Sequence, residues 1–173
     1  METITGLLAE FRRQLDAVRP GLLLTAAVAA GEDKIVHYDI PGISQYLDAI
    51  NVMTYDFFGA WAPNGPTAFH SPLYAWSGMP TTSPLNHYTS DYAIRLWITG
   101  GAPASKIHLG IGFYGRGWTG VTNANNGLNQ AASGAAPGTH DPGVEDYKKL
   151  KDLGYPPFTS SEAVRFHDIS AYL

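Results

Sequence analysis

The chain has 173 residues, of which 45% are hydrophobic, 12% aromatic and only 15% charged, and its formal net charge is −4. This composition argues against disorder, and without a basic cluster we expect no nucleic-acid partner. The absence of cysteine excludes a disulfide framework and cysteine-based zinc sites. No apolar run approaches the roughly 18 residues of a membrane span, so we expect no membrane partner.

The first half of the chain alternates between helical and strand patterns. Apolar residues recur at helical spacing over residues 4–18, and Pro20-Gly21 ends this predicted helix. Residues 22–30 form a near-continuous apolar run, which is typical of a parallel strand buried on both faces. A short helix starting near Ile43 is predicted to lead into a second strand at 50–55. The N-terminus lacks the basic and then apolar order of a signal peptide, so we expect none in this chain.

The same alternation continues after a long connection. Residues 58–88 are rich in Pro, Gly and aromatic side chains, and ordered loops longer than about 15 residues are usually functional. A helix is predicted over 89–99, with Trp97 facing inward, and a third strand over 107–113. This order implies βαβ units and an α/β fold.

The pattern changes after the third strand. Residues 119–133 are dominated by Asn, Gly and Ala, which favours a flexible loop or the start of an inserted subdomain. A short helix is predicted over 142–153, and the tail at 163–173 is weakly strand-like.

The stretch with the most chemical information is residues 51–61, Asn-Val-Met-Thr-Tyr-Asp-Phe-Phe-Gly-Ala-Trp. Its apolar strand pattern stops at Tyr55 and Asp56. In alternating α/β proteins, polar groups at the C-terminal tip of a strand are where chemistry usually lies. The alternative is a strand end with solvated polar residues.

Three stretches resemble one known family. Met-x-Tyr-Asp-Phe-x-Gly at 53–59 resembles the sixth barrel strand of family 18 glycoside hydrolases, the chitinases. Gly-x-x-Phe-Tyr-Gly-Arg, within residues 106–118, resembles the seventh strand, and residues 24–31 resemble the fifth more weakly. The resemblance implies a partial (β/α)8 TIM barrel at 1–121, comprising about strands five to seven, and an incomplete inserted α+β subdomain at 122–173.

The resemblance also implies an activity and an extracellular location. Family 18 enzymes cleave β-1,4-linked N-acetylglucosamine polymers by a retaining mechanism in which the substrate's own N-acetyl group attacks, outside the usual two-carboxylate scheme. Tyr55 would orient the acetamido oxygen, and Asp56 would act at the distorted sugar, so both are predicted catalytic residues. Endo action on chitin or N-acetylglucosamine oligosaccharides is expected, with no metal and no cofactor.

A second set of residues is implied to bind substrate: Met53, Phe58, Trp61, Tyr114 and Arg116. Met53 shares a face with Tyr55, because successive strand residues point to opposite faces, and would line the pocket floor. The resemblance places Tyr114 and Arg116 at the mouth of the seventh strand, although an ordinary salt bridge is the alternative for Arg116. Flat aromatic rings suit pyranose faces, so Trp61, Phe69 and Trp76 are candidates for sugar stacking, against the alternative that they pack the loop.

Two other motif classes are rejected. Residues 110–115 match Gly-x-Gly-x-x-Gly, but the match lies in a predicted strand, carries bulky aromatics and opens no helix, so a dinucleotide site is not predicted. The six histidines show no His-x-x-x-His spacing, which favours structural or solvated roles over metal binding.

One family motif is missing. The Asp-x-x-Asp-x-Asp-x-Glu motif of the fourth strand, whose Glu is the general acid, does not occur in this sequence. We therefore expect this chain alone to be inactive. The alternatives are a lectin-like carbohydrate-binding protein and a truncated gene product. The outer strands at 22–29 and 106–113 would be free edges, which predicts self-association.

Overall fold

The structure, a computed structural model, describes residues 2–152 and 165–167. Its helices are α1 (Glu2–Val18), α2 (Glu32–Ile35), α3 (Ile40–Tyr46), α4 (Ser90–Thr99) and α5 (Tyr147–Asp152). Its strands are β1 (Thr25–Val28), β2 (Ala49–Val52), β3 (Ile107–Leu109), β4 (Tyr114–Thr119), β5 (Gly134–Ala135), β6 (Val144–Asp146) and β7 (Arg165–His167). Short 3-10 turns lie at Leu85–His87, Ala104–Lys106 and Ala124–Gly127.

The first sheet is parallel, in the order β1-β2-β3. Val28 pairs with Val52, and Val52 pairs with Leu109, so the three strands end at one edge. Helices α2 and α3 connect β1 to β2, and α4 precedes β3. The predicted α/β order of strands and helices is confirmed in this part of the chain.

The core lies between this sheet and its helices. Ile50 and Val52, on one face of the central strand, are fully buried, and Ala49 and Asn51 on the other face are half-buried. In β1, Thr25 and Ala27 are exposed, so the prediction that residues 22–30 are buried on both faces is wrong. Trp97 of α4 is also fully buried, and its indole N–H donates to the Ala29 carbonyl at 3.0 Å. The prediction that Trp97 is a core residue is confirmed.

The second sheet is antiparallel and corrects the predicted third strand. That strand ends at Leu109 instead of residue 113, and Tyr114 begins β4, which pairs with β5, β6 and β7. The cause is Gly110, where a Cβ would lie 2.7 Å from the Val52 carbonyl oxygen and 2.9 Å from the Tyr55 ring. The chain therefore crosses closely over the tip of β2, and Tyr114 and Arg116 belong to β4.

The helix predicted over 142–153 begins later than expected. Residues 144–146 form β6, and α5 begins only at Tyr147. Val144 pairs with Arg116, and Glu145 pairs with Gly115, so sheet pairing overrides the local helical spacing. Of the tail predicted as strand-like, residues 165–167 form β7, and the rest of that prediction lies outside the described residues.

The long loop at 58–88 is packed by its own aromatic rings. The Trp76 ring lies 6.2 Å from Phe58 and 5.1 Å from Phe69, both edge to face. Phe69 is buried and Trp76 packs against the core, so loop packing is the observed role of these two rings. Thr67 ties the loop to the segment after β4, because its carbonyl accepts from the Asn129 amide at 2.7 Å.

Both outer edges of the parallel sheet expose apolar side chains. Within residues 2–152 and 165–167, β1 and β3 each pair with β2 alone. Beside β1, Phe11 and Val18 of α1 are exposed, and beyond β3, Ile111 and Phe113 are exposed. Unprotected apolar edges favour pairing with another chain. No helix in these ranges is long and apolar enough to cross a membrane.

We expect the isolated chain to self-associate through these edges. Light scattering across a dilution series should show a mass that rises with concentration. Phe11→Lys combined with Phe113→Ser should lower that mass, because the substitutions place polar groups on both edges. Trp61→Ser is the matched control, since Trp61 is exposed and its ring packs on Arg116 of the antiparallel sheet. A single monomeric mass at every concentration would contradict this expectation.

Candidate active site

A cleft of about 240 Å³ opens beyond the C-terminal ends of β1 and β2. Its lining includes Ala30, Asp33, Met53, Tyr55, Asp56 and Tyr88. The predicted catalytic pair therefore lines this cleft.

The segment that leads from β2 to this pair is fixed by hydrogen bonds of Thr54. Thr54 is fully buried, its hydroxyl donates to the Gly110 carbonyl at 2.7 Å, and its carbonyl accepts from the Ser71 hydroxyl at 2.5 Å. Because side chains alternate along an extended chain, Met53 and Tyr55 turn to the opposite side from Thr54, into the cleft. The prediction that Met53 and Tyr55 share a face agrees with this placement.

The second strand was predicted over 50–55 but ends at Val52, and Asp56 lies four residues beyond its end in an uncommon conformation. Its φ of 60° lies in the left-handed region, which Asp tolerates better than most residues. Its Oδ1 accepts a hydrogen bond from Arg116 Nε at 2.8 Å, and the Tyr114 hydroxyl is also hydrogen-bonded to its carboxylate. A turn residue of the first sheet is thus joined to two side chains of the second.

The environment fixes the charges of these groups. Burial disfavours the charged form of Asp56, but the hydrogen bonds from Arg116 and Tyr114 and the positive charge of Arg116 outweigh it, so the pKa of the carboxyl lies below its ordinary value. Burial and the hydrogen bond to Asp56 raise the pKa of the Tyr114 phenol well above its usual range. At neutral pH the site therefore presents a carboxylate, a guanidinium and a neutral phenol.

Aromatic rings surround the guanidinium. Arg116 Cζ lies 5.0 Å from the Trp61 ring centroid and 5.3 Å from that of Tyr114, a cation–π arrangement. The Tyr55 and Tyr114 rings meet edge to face at 6.2 Å. Trp61 remains 57% exposed, so its ring is accessible at the margin of the site.

Of the seven residues predicted to act on or bind substrate, the structure brings six together. Phe58 is the exception, since it is only 5% exposed and packs against the rings of Trp76 and Tyr88. Its predicted contact with substrate stays a prediction. Arg116 was predicted either to bind substrate or to form an ordinary salt bridge. It does form a salt bridge, and its partner is the predicted catalytic Asp56.

Sequence reasoning missed two features of the site. His70 is fully buried, and its Nδ1 lies 3.4 Å from the backbone nitrogen of Asp56. Across the cleft, the Tyr88 hydroxyl donates to Asp33 Oδ1 at 2.9 Å. Neither contact could be predicted from the spacing of residues along the sequence, because the folding of the loop brings the partners together. Within the described part of the chain, no group of three or more acidic or histidine side chains is arranged to hold a metal ion.

Comparison with known sequences identifies the family. Residues 1–170 match the family model described as glycosyl hydrolases family 18. The chain belongs to this family. It is 53% identical to Chitinase 63 of Streptomyces plicatus over 133 residues, and the aligned segment makes up 75% of this chain and 21% of that protein. It is 36% identical to a chitinase of Autographa californica nuclear polyhedrosis virus over 171 residues, and that alignment makes up 95% of this chain and 30% of the viral protein.

Solved family 18 structures are also similar. The catalytic domain of psychrophilic chitinase B from Arthrobacter TAD20 superposes with a TM-score of 0.82 at 32% identity, over 95% of this chain and 40% of that one. A mutant of the class V chitinase from Nicotiana tobaccum, in complex with NAG4, superposes with a TM-score of 0.75 at 30% identity. This superposition covers 95% of this chain and 51% of that one. Such catalytic domains are TIM barrels, and this family 18 chain spans at most about half of those compared here.

The Asp56–Arg116 pair predicts a pH-dependent stability difference. Because the folded pKa of Asp56 lies below its unfolded value of about 3.9, the pair stabilises the fold above that pH, and the contribution is lost as pH falls through the folded pKa. Arg116→Met should cost about 1–3 kcal/mol of unfolding free energy at pH 7, and the difference from wild type should shrink below about pH 4.

Urea unfolding at several pH values measures this difference. Arg95→Met is the matched control, because Arg95 pairs with Asp91 at 2.9 Å on the exposed face of α4 and should cost under about 1 kcal/mol. Equal losses from the two substitutions, or a difference that does not change with pH, would show that the Asp56–Arg116 pair does not stabilise the fold.

Proposed function

We propose that this family 18 chain forms part of a chitinase catalytic domain. The whole domain would hydrolyse β-1,4-linked N-acetylglucosamine polymers by the retaining, substrate-assisted mechanism. The observation that carries the proposal is the convergence of Tyr55, Asp56, Tyr114 and Arg116 beside the cleft at the strand ends. Similarity to chitinases along most of the chain supports it.

Each residue has a role that its contacts suit. Tyr55 orients the acetamido oxygen of the reacting sugar from the cleft wall. Asp56, kept ionised by Arg116, places negative charge where positive charge develops on the sugar ring, and such charge is most effective in a water-poor site. Met53 lines the floor, and Trp61 offers an exposed ring for a sugar face.

The partial barrel is part of the same proposal. Strands β1, β2 and β3 correspond to barrel strands five, six and seven, and strands β5, β6 and β7 belong to the inserted α+β subdomain. Residues 1–121 are assigned to the barrel and residues 122–173 to the insertion. Strand β4 connects the two parts, because it precedes the boundary at residue 121 and pairs with strands that follow it. An extracellular location and endo action are further parts of the proposal.

A second candidate function is carbohydrate binding without catalysis. The exposed Trp61 ring and the half-buried Asp56–Arg116 pair offer stacking and hydrogen bonding to sugar hydroxyls, and neither needs the general acid. This sequence contains no general-acid motif, so a lectin-like role would use the groups that are present.

A chimaera tests the proposed function. The part of this chain that matches Streptomyces plicatus Chitinase 63 over 133 residues replaces its counterpart in that enzyme. Turnover of a fluorogenic N-acetylglucosamine oligomer is then measured. We expect kcat within about tenfold of the parent enzyme, which is close to 1.4 kcal/mol in transition-state stabilisation. A folded chimaera that binds the oligomer without turnover would instead favour the carbohydrate-binding function.

A further inference from the structure

We propose that His70 is a positioning residue that holds Asp56 in the conformation required for its pairing with Arg116. The contact itself stands apart from any activity, and only its catalytic consequence rests on the proposed function. No pattern in the sequence pointed to this histidine.

Two successive backbone amides are bound by His70. The Asp56 N–H donates to His70 Nδ1 at 3.4 Å, and the Phe57 N–H donates to the His70 carbonyl at 2.9 Å. These amides flank the left-handed turn at Asp56, where φ is 60°. A non-glycine residue keeps that conformation only when its surroundings fix it, and His70 supplies both of these hydrogen bonds.

The neighbouring residue extends this support. The Ser71 hydroxyl donates to the Thr54 carbonyl at 2.5 Å, so residues 70 and 71 hold the chain on both sides of Tyr55. Both side chains are buried. Residues 70–71 thus act as a fixed support for residues 54–57.

His70 also contacts the side chains of the site. Its ring centroid lies 5.0 Å from that of Tyr114, and its Nδ1 lies 3.8 Å from Asp56 Oδ1. A single buried ring therefore touches the backbone of Asp56, its carboxylate and the tyrosine that is hydrogen-bonded to that carboxylate. A change at His70 is expected to displace all three together.

The geometry specifies the tautomer. A ring nitrogen that accepts from a backbone N–H carries no proton, so the neutral ring has its proton on Nε2. The positioning role consequently depends on the lone pair of Nδ1, not on ring charge or ring volume. This distinction separates positioning from simple core packing.

Two substitutions isolate that lone pair. In His70→Asn, the side-chain oxygen is attached to Cγ, as Nδ1 is, and keeps an acceptor near the Asp56 amide. In His70→Leu, similar volume remains without an acceptor. Hydrogen exchange of the Asp56 amide, followed by NMR on the chain itself, should be about tenfold faster in His70→Leu than in His70→Asn, as expected for one lost hydrogen bond. The Val52 amide in β2 is the internal control.

The wild-type ring gives a readout that needs no variant. Nitrogen spectra of the imidazole should show the proton on Nε2 and an unprotonated Nδ1. A proton on Nδ1 of the neutral ring overturns the proposal, as does equal protection of Asp56 in the two variants. If His70→Leu fails to fold, the wild-type spectrum together with exchange in His70→Asn still decides the question.

The catalytic consequence is measured in the chimaera. A misplacement of about 1 Å can cost about 100-fold in rate, so His70→Leu should lower kcat by about 10- to 100-fold and change KM by less than about threefold. His70→Asn should recover most of kcat. If the chimaera has no activity at all, the proposed function fails while the exchange result stands. If kcat is unchanged in His70→Leu, the catalytic part of this inference is wrong.

Discussion

The isolated chain is expected to turn over a fluorogenic N-acetylglucosamine oligomer about 100- to 10,000-fold more slowly than the chimaera, which is the usual contribution of general acid catalysis. The sequence contains no Asp-x-x-Asp-x-Asp-x-Glu motif. The question is whether another carboxyl group in the structure could supply the proton.

A general acid needs a pKa raised toward the operating pH, and the glutamates with shifted pKa values move the other way. Hydrogen bonds from Arg13 and Gln14 lower the pKa of Glu10 to about 2. A hydrogen bond with His87 lowers the pKa of Glu32. Each of these two carboxyls is ionised at neutral pH and has no proton to donate.

The two aspartates that line the cleft are equally unsuited. Burial favours the protonated form of Asp33, but hydrogen bonds from Lys34 and Tyr88 prevail and lower its pKa. Burial also favours the protonated form of Asp56, but the hydrogen bonds and positive charge of its partners lower its pKa. Neither cleft carboxyl can therefore replace the missing general acid.

The comparison uses equal molar concentrations of the isolated chain and the chimaera in one assay. The chimaera carrying a substitution of its general-acid glutamate to glutamine is the control for background turnover. Turnover by the isolated chain that matches the chimaera would show that another residue donates the proton, and the argument from the missing motif would be wrong.

Local patterns predicted the order of strands and helices in the parallel half of the fold and placed Tyr55 and Asp56 beyond the C-terminal end of its second strand. The apolar run before Tyr55-Asp56 indicates a buried strand that ends close by, and β2 ends at Val52. Likewise, the spacing that puts Trp97 inward depends only on helical geometry. These features are determined by residues that are neighbours in sequence.

Other features depend on contacts between distant residues, which a single sequence does not show. The third strand ends early because Gly110 passes against Val52 and Tyr55. Residues 144–146 form a strand because β4 is there to pair with them. The left-handed turn at Asp56 is held by His70, which lies 14 residues away along a loop. Such contacts override local propensity.

Tyr55→Phe and Asp56→Asn, each made in the chimaera, are expected to lower kcat by about 100- to 1,000-fold, the loss typical of removing one preorganised electrostatic contact. Both groups would act on charge that appears as the substrate ionises, so KM should change by less than about threefold. Tyr55→Phe keeps the ring that meets Tyr114 at 6.2 Å, and it removes only the hydroxyl.

Trp61→Ala is the comparison variant, because it removes a predicted sugar-binding ring and no predicted catalytic group. An exposed ring that stacks on a sugar contributes equally to the ground state and the transition state, so its removal should raise KM and leave kcat nearly unchanged. Asp56→Asn also breaks the pair with Arg116, and thermal unfolding of each variant separates loss of fold from loss of rate. If Tyr55→Phe in a folded chimaera raises KM alone, then Tyr55 is a sugar ligand and not a catalytic residue, and the substrate-assisted role assigned to its hydroxyl is wrong.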